Sequence, residues 1–194
     1  MKMAIEVVKT YKEHLPAVRF VGKMYTDEDR EEDNPKGGFD KYWTEWHKNG
    51  WLDILRQLPQ IENIDNSPIG LMGIEYKDGV HCNFQYWIGM MLPIETNVPE
   101  GFSFVDIPES DVMVCWVYGS NKTGEIFDCH ELCMEKMFGT EDGWWNKIRN
   151  DLKGKDRDWC WWFERYNGKR MSDEDEKGNV ILDYGMYMKS EAKK

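Results

Sequence analysis

Trp159-Cys160-Trp161-Trp162-Phe163-Glu164-Arg165-Tyr166 has the composition of a β-strand, and it is aromatic on both of its faces. Strand side chains alternate, so Trp159, Trp161 and Phe163 share one face while Trp162, Glu164 and Tyr166 share the other. A strand with one wet face carries polar residues there; here both faces call for cover. The expectation is that helices cover the Trp159/Trp161/Phe163 face, leaving Glu164 in an aromatic cleft between Trp162 and Tyr166. A carboxylate in such a setting loses hydration, which favours its neutral form unless a cation or a hydrogen-bond donor compensates. Glu164 is therefore either a ligand-binding or general-base residue, or a structural carboxylate paired with a Lys, an Arg or a Tyr hydroxyl.

The segments around this strand repeat an order. Ile5–Tyr11 and Leu15–Gly22 read as strands, with Pro16 at a strand start. Asp27–Gly38 is acidic and closes on Asn34-Pro35 and Gly37-Gly38, a solvated loop. From Phe39 to Leu58 the apolar residues recur at helical steps, with Asn49-Gly50 as a weak point and Pro59 as the stop. At this spacing Trp43 and Trp46 read as core. Strands Ile69–Tyr76 and Phe84–Leu92 follow, joined by the hairpin signal Lys77-Asp78-Gly79. After a connector, Pro93–Gly101, the order starts again. Val112–Gly119 is a strand, about Gly124–Phe138 and Trp144–Leu152 are helical, and Trp159–Tyr166 and Val180–Met188 are strands flanking the acidic turn Ser172–Gly178.

The predicted class is α+β. Duplicated strand–helix–strand–strand halves, about 3–92 and about 102–188, form one domain over 1–194. They share one curved antiparallel sheet, with helices on one face and a ligand cleft on the other. Matching Asn83–Gly89 to Trp159–Tyr166 sets Gln85 against Glu164 and Trp87 against Tyr166, making Trp87 a pocket wall. Tyr86 faces the helices by this rule unless a bulge reverses it. Trp116 and Tyr118, on one face of their strand, complete the candidate ligand-binding set of Glu164, Trp162, Tyr166, Trp87 and Tyr86.

Composition narrows the chemistry. Ten Trp, nine Tyr and eight Phe in 194 residues exceed what a core of this size needs, so some line a cavity. A net charge of −11 without a Lys/Arg-rich stretch argues against direct nucleic-acid binding and favours cationic ligands. Met1–Val8 has no long apolar run and no segment reaches the length of a membrane span, so neither a signal peptide nor a membrane partner is expected. Five scattered cysteines fit reduced thiols in the cytoplasm. Cys129-His130, Cys133 and His81-Cys82 lack the paired spacings of a zinc site, and no phosphate loop or Gly-x-Ser-x-Gly elbow is present, so neither metal nor cofactor is expected.

Leu15–Gly22, Tyr86-Trp87-Ile88-Gly89, Pro99–Phe102 with Ile107-Pro108, Val117-Tyr118-Gly119, Phe163-Glu164-Arg165-Tyr166 and Leu182-Asp183-Tyr184 together resemble the GyrI-like, or AraC-type effector-binding, superfamily over nearly the whole chain. The resemblance implies a duplicated strand–helix–strand–strand fold whose cleft takes hydrophobic, often cationic, small molecules, with Glu164 at the acidic position. Many relatives carry a helix-turn-helix reader before this domain; the sequence leaves no room for one before Met3, so direct transcriptional regulation is not expected. The functional expectation is a stand-alone small-molecule-binding protein. One alternative is a metal-independent hydrolase of isothiocyanate-like electrophiles, with Glu164 as general base and Tyr166 steadying charge. The other is a gyrase-inhibitor-like module with a protein partner.

Overall fold

In the computed structural model, which describes residues 5–31, 38–77, 80–139 and 157–188, eight strands form one antiparallel sheet. They are β1 (Glu6–Leu15), β2 (Val18–Tyr25), β3 (Ile69–Lys77), β4 (Val80–Pro93), β5 (Ser103–Ile107), β6 (Ser110–Ser120), β7 (Arg157–Arg165) and β8 (Asn179–Tyr187). Their order across the curved sheet is β1-β6-β8-β7-β3-β4-β2-β5. Read from each edge to the seam between β7 and β3, β1, β6, β8 and β7 match β5, β2, β4 and β3. The duplication is thus a pseudo-two-fold, with one exchange: β1 pairs with β6 of the second half, and β5 pairs with β2 of the first. The α+β class and the repeated halves agree with the sequence reading.

Several boundaries differ from it. Leu15-Pro16 closes β1 instead of opening β2, because the missing N–H of Pro16 falls in the link between strands. The strand β5 lies in a stretch with no alternation long enough to signal it. The helical stretch after Phe39 splits into α1 (Asp40–Asn49) and α2 (Trp51–Arg56) at Gly50, whose φ of 65° suits a residue without Cβ. Gly124 opens a 3-10 turn, Glu125–Phe127, before α3 (His130–Phe138), so the helix read from Gly124 is shorter. A short α4 (Gly168–Ser172) follows β7. The helical piece read at Trp144–Leu152 and the hairpin tip Asp78-Gly79 lie outside the described residues. Among the described residues, no helix is long and apolar enough to cross a membrane.

Alternation divides the sheet into two faces. On one, α1 and α2 cover Val21, Ile88, Met90 and Leu92 with Trp46, Leu52 and Leu55, while α3 covers Cys115, Val117, Leu182 and Tyr184 with Cys133 and Met134. On the other face, side chains from all eight strands pack on one another, among them Phe20, Leu71, Trp87, Met91, Trp161 and Phe163. The predicted cover is therefore reversed: Trp159, Trp161 and Phe163 belong to the strand-only face, and the helices stand on the side of Trp162 and Glu164. Curvature makes this work, since strands of a bent sheet meet across it; Tyr187 Oη lies 3.8 Å from Met91 Sδ although β7 and β3 separate their strands.

The strand-only face also buries charge. Arg165, 2% exposed, reaches Glu13 (2.9 Å), Asp183 (3.1 Å) and the Tyr11 hydroxyl (3.2 Å). Arg170 holds the same Asp183 at 2.7 Å and Asp65 at 3.4 Å, and Asn167 donates to Asp65 at 2.7 Å. The network ties β1, β8, α4 and the loop before β3 to the end of β7. Replacing Arg165 leaves the buried Asp183 and the half-buried Glu13 short of donors, so Arg165→Met is expected to lower unfolding free energy by about 3 kcal/mol, measured by urea titration.

Candidate functional site

The register of the seam places the floor of a cleft. Across β7, β3 and β4, Glu164 lies opposite Gly70 and Ile88, and Trp162 lies opposite Met72 and Tyr86, all on the helix face. On the other side of β7, Tyr184 of β8 is the partner of Glu164. Helices α1 and α3 stand apart over this floor, and the gap between them is a cleft of about 1250 Å³. Glu164 lines it, together with Trp43 and Phe39 from the first half and Phe127, His130 and Tyr184 from the second. The sequence reading put the cleft on the face away from the helices; it lies between the helices instead.

Two tyrosine hydroxyls stand near the carboxylate. Tyr166 Oη donates to Glu164 Oε2 at 2.8 Å, and Trp43 Nε1 donates to Tyr86 Oη at 2.8 Å. Both hydroxyls lie close enough to Glu164 for its charge to oppose their ionisation. Trp43 packs edge-on against Tyr166, with ring centroids 4.6 Å apart. Gly70 makes room for this group: a Cβ there would come within 2.6 Å of Tyr86 Oη.

Glu164 is partly open to water but walled by protein on all other sides. Among the described residues no salt bridge to it forms, and Tyr166 is its hydrogen-bond partner. Desolvation raises its pKa from the ordinary 4.5 to about 7; the Tyr166 hydrogen bond opposes the rise and the charge of Asp40 adds to it. Burial likewise raises the Tyr86 and Tyr166 hydroxyls, which stay protonated.

The second half offers a partial image of the first. Tyr184 stands on β8 where Tyr86 stands on β4, and its hydroxyl bonds His130 Nδ1 of α3 as Tyr86 bonds Trp43 of α1. Burial lowers the His130 pKa, so its ring is neutral near pH 7. The image breaks at the acid. Met72, paired with Tyr86, occupies the place that Glu164, paired with Tyr184, takes in the other half.

Of the residues singled out from sequence, Glu164, Trp162, Tyr166 and Tyr86 meet in the cleft. Trp87, Trp116 and Tyr118 do not. Trp87 belongs to the strand-only face, its Nε1 bonded to Gln85. The cause is the topology, in which the counterpart of β7 is β3, so matching Asn83–Gly89 to Trp159–Tyr166 joined strands that do not correspond. Trp116 lies on the strand-only side between Lys9 and Arg170, at 4.4 and 4.7 Å. Tyr118 holds the turn before β8 through Asp175 and Asn179. Trp43, read as core, is a cleft wall, whereas Trp46 is fully buried and donates to Tyr25. Three residues apart, the two rings share one face of the helix, Trp43 bonding Tyr86 and Trp46 bonding Tyr25. All five cysteines are free thiols, and Cys129 and Cys133 are packed in the core beneath α3.

No family model and no curated protein matches the sequence. Solved structures do. A protein described as a bacterial transcription regulator, from Staphylococcus aureus MU50, superposes with a TM-score of 0.51 at 13% identity, over 94% of this chain and 99% of its own. SAV2435, solved bound to tetraphenylphosphonium, gives a TM-score of 0.53 at 14% identity, over 94% and 95%. From edge strand to edge strand, the chain has the fold that the GyrI-like resemblance implies.

Proposed function

We propose that the cleft binds a hydrophobic cation, held by the Glu164 carboxylate at its floor and by the ring faces of Trp43, Trp162 and Tyr166. The observation that carries this reading is a carboxylate sunk among aromatic rings with a hydroxyl, and no cation among the described residues, as its partner. Leaving a carboxylate so placed is unfavourable in the empty protein, and an arriving cation relieves it by charge pairing while the rings supply cation–π attraction. The net charge of −11 adds long-range attraction, and SAV2435, of the same fold, was solved with a lipophilic cation. Five free thiols fit a reducing compartment such as the cytoplasm.

Because the Glu164 pKa is about 7 in the empty cleft, a permanent cation must displace a proton below that pH. Affinity for tetraphenylphosphonium, followed by Trp fluorescence, is expected to fall about tenfold per pH unit below 7 and to level off above it. Glu164→Gln should weaken binding at pH 8 by tenfold or more and flatten the profile. Binding independent of pH in the unaltered protein would refute the assignment.

The same shift sets a stability trend. The folded protein holds the Glu164 proton more tightly than the unfolded chain, so stability falls as pH rises from about 4.5 to about 7 and then stays level for this group. At pH 8 the ionised carboxylate costs about 3 kcal/mol. Glu164→Gln is expected to be more stable than the parent at pH 8 and nearly equal to it at pH 4, read from urea midpoints.

A carboxylate that titrates near neutrality also suits a general base, which favours the hydrolase as second reading. Turnover of an aryl isothiocyanate that Glu164→Gln abolishes would establish it; no turnover above buffer would dismiss it.

A further inference from the structure

The pseudo-two-fold crosses the β3–β7 ladder at the Leu71–Phe163 pair, so it exchanges Gly70 with Trp162 and Met72 with Glu164. One strand over and two residues along, Met72 and Glu164 stand about 8 Å apart on the cleft floor. Their surroundings differ as their side chains do. Gly70 leaves room beside the acid, whereas Trp162 is the cross-strand neighbour of the thioether. Met72 packs against the buried clusters of both halves. Two residues further along the same face, Ile74 pairs with Phe84, and both line the cleft. Phe84 is held in turn by Phe39, with centroids 6.3 Å apart, and by the Arg30 guanidinium carbon, 4.8 Å from its ring. Among the described residues, the other two acids that line the cleft, Asp40 and Asp128, are exposed. The floor thus runs from a carboxylate to an apolar patch of Met72, Ile74 and Phe84.

We propose that Met72 determines specificity, and that the cleft takes amphiphilic monocations whose charged head meets Glu164 and whose apolar chain lies across Met72 toward Ile74 and Phe84. The inference rests on the reading of the cleft as a cation site. A thioether is unbranched and polarizable, and it adapts to apolar groups of varied shape. Each methylene laid on such a patch leaves water and adds to affinity. The sulfur is only a weak acceptor, so a second cationic group on the same ligand would lose hydration there without gaining a partner. An acid in the place of Met72 would supply that partner. The residue at this one position therefore decides whether the ligand carries one charge or two.

The test compares heptyltriphenylphosphonium with 6-aminohexyltriphenylphosphonium, which share a head and a chain length and differ in a terminal methyl or ammonium group. At pH 8 the amine is charged, since an alkylamine titrates near about 10.4. The unaltered protein should bind the alkyl ligand at least about tenfold more tightly, followed by Trp fluorescence. Met72→Glu should raise affinity for the amine and reverse that order. Met72→Gln, which removes the thioether without adding charge, should weaken the alkyl ligand and bring no gain for the amine. Glu164→Gln should weaken both ligands. Equal affinities in the unaltered protein would overturn the role of Met72 and leave the cation site standing, as would the parental preference surviving in Met72→Gln or in a folded Met72→Glu. Failure of both ligands to bind would overturn the cation site and this inference with it.

Discussion

The antiparallel ladder between β3 and β7 joins the two halves, and its register decides what the cleft contains. Gly70 faces Glu164 across it, Leu71 faces Phe163 and Met72 faces Trp162. A slip of one residue would turn Glu164 into the packed strand-only face and bring Arg165 into the cleft. The register is held from behind. Arg165 reaches β1 through Glu13 and β8 through Asp183, and the backbone N–H of Tyr166 donates to the carbonyl of Pro68 at 2.9 Å. The acid in the cleft and the base at its back are neighbours in sequence, separated by the thickness of a strand. Each is positioned by the alternation that positions the other.

Duplication produced two similar walls and then differentiated them. Trp43 with Tyr86 and His130 with Tyr184 are matching pairs of a helix ring and a strand hydroxyl. The carboxylate is on one side of the dyad and a thioether on the other. A symmetric cleft would present two like charges a few residues apart, and mutual repulsion would push one to its neutral form. With Met72 in that place, the floor has one charge among the described residues, and a defined direction.

Much of this arrangement was legible in the sequence, and what was not had identifiable causes. Apart from β5, the order of strands follows from periodicity, and alternation within β7 correctly groups Trp162 with Glu164. Alternation cannot say which group faces a helix. In a strand aromatic on both sides, that depends on how far the sheet bends, a property of eight strands together. The misplacement of Trp87 has the same origin, because matching β4 to β7 requires the strand order, which short motifs do not encode. Trp43 lacked any local mark to set it apart from Trp46. Arg30 follows an acidic turn whose ordinary meaning is solvation, and its stacking on Phe39 and Phe84 depends on chain segments distant in sequence.

The exchange of edge strands has a consequence for how the molecule comes into being. β1 finds its partner in β6, and β5 finds its partner in β2, so neither half completes its sheet with its own residues. β1 pairs with a strand about a hundred residues further along the chain, a long loop to close and a topology that folds slowly. Until then β1 remains an unpaired strand bearing Lys9 and Lys12, charges of the kind that discourage pairing with foreign strands. The finished sheet therefore waits for its long-range pairings, and the cleft at its seam appears only when both halves are present.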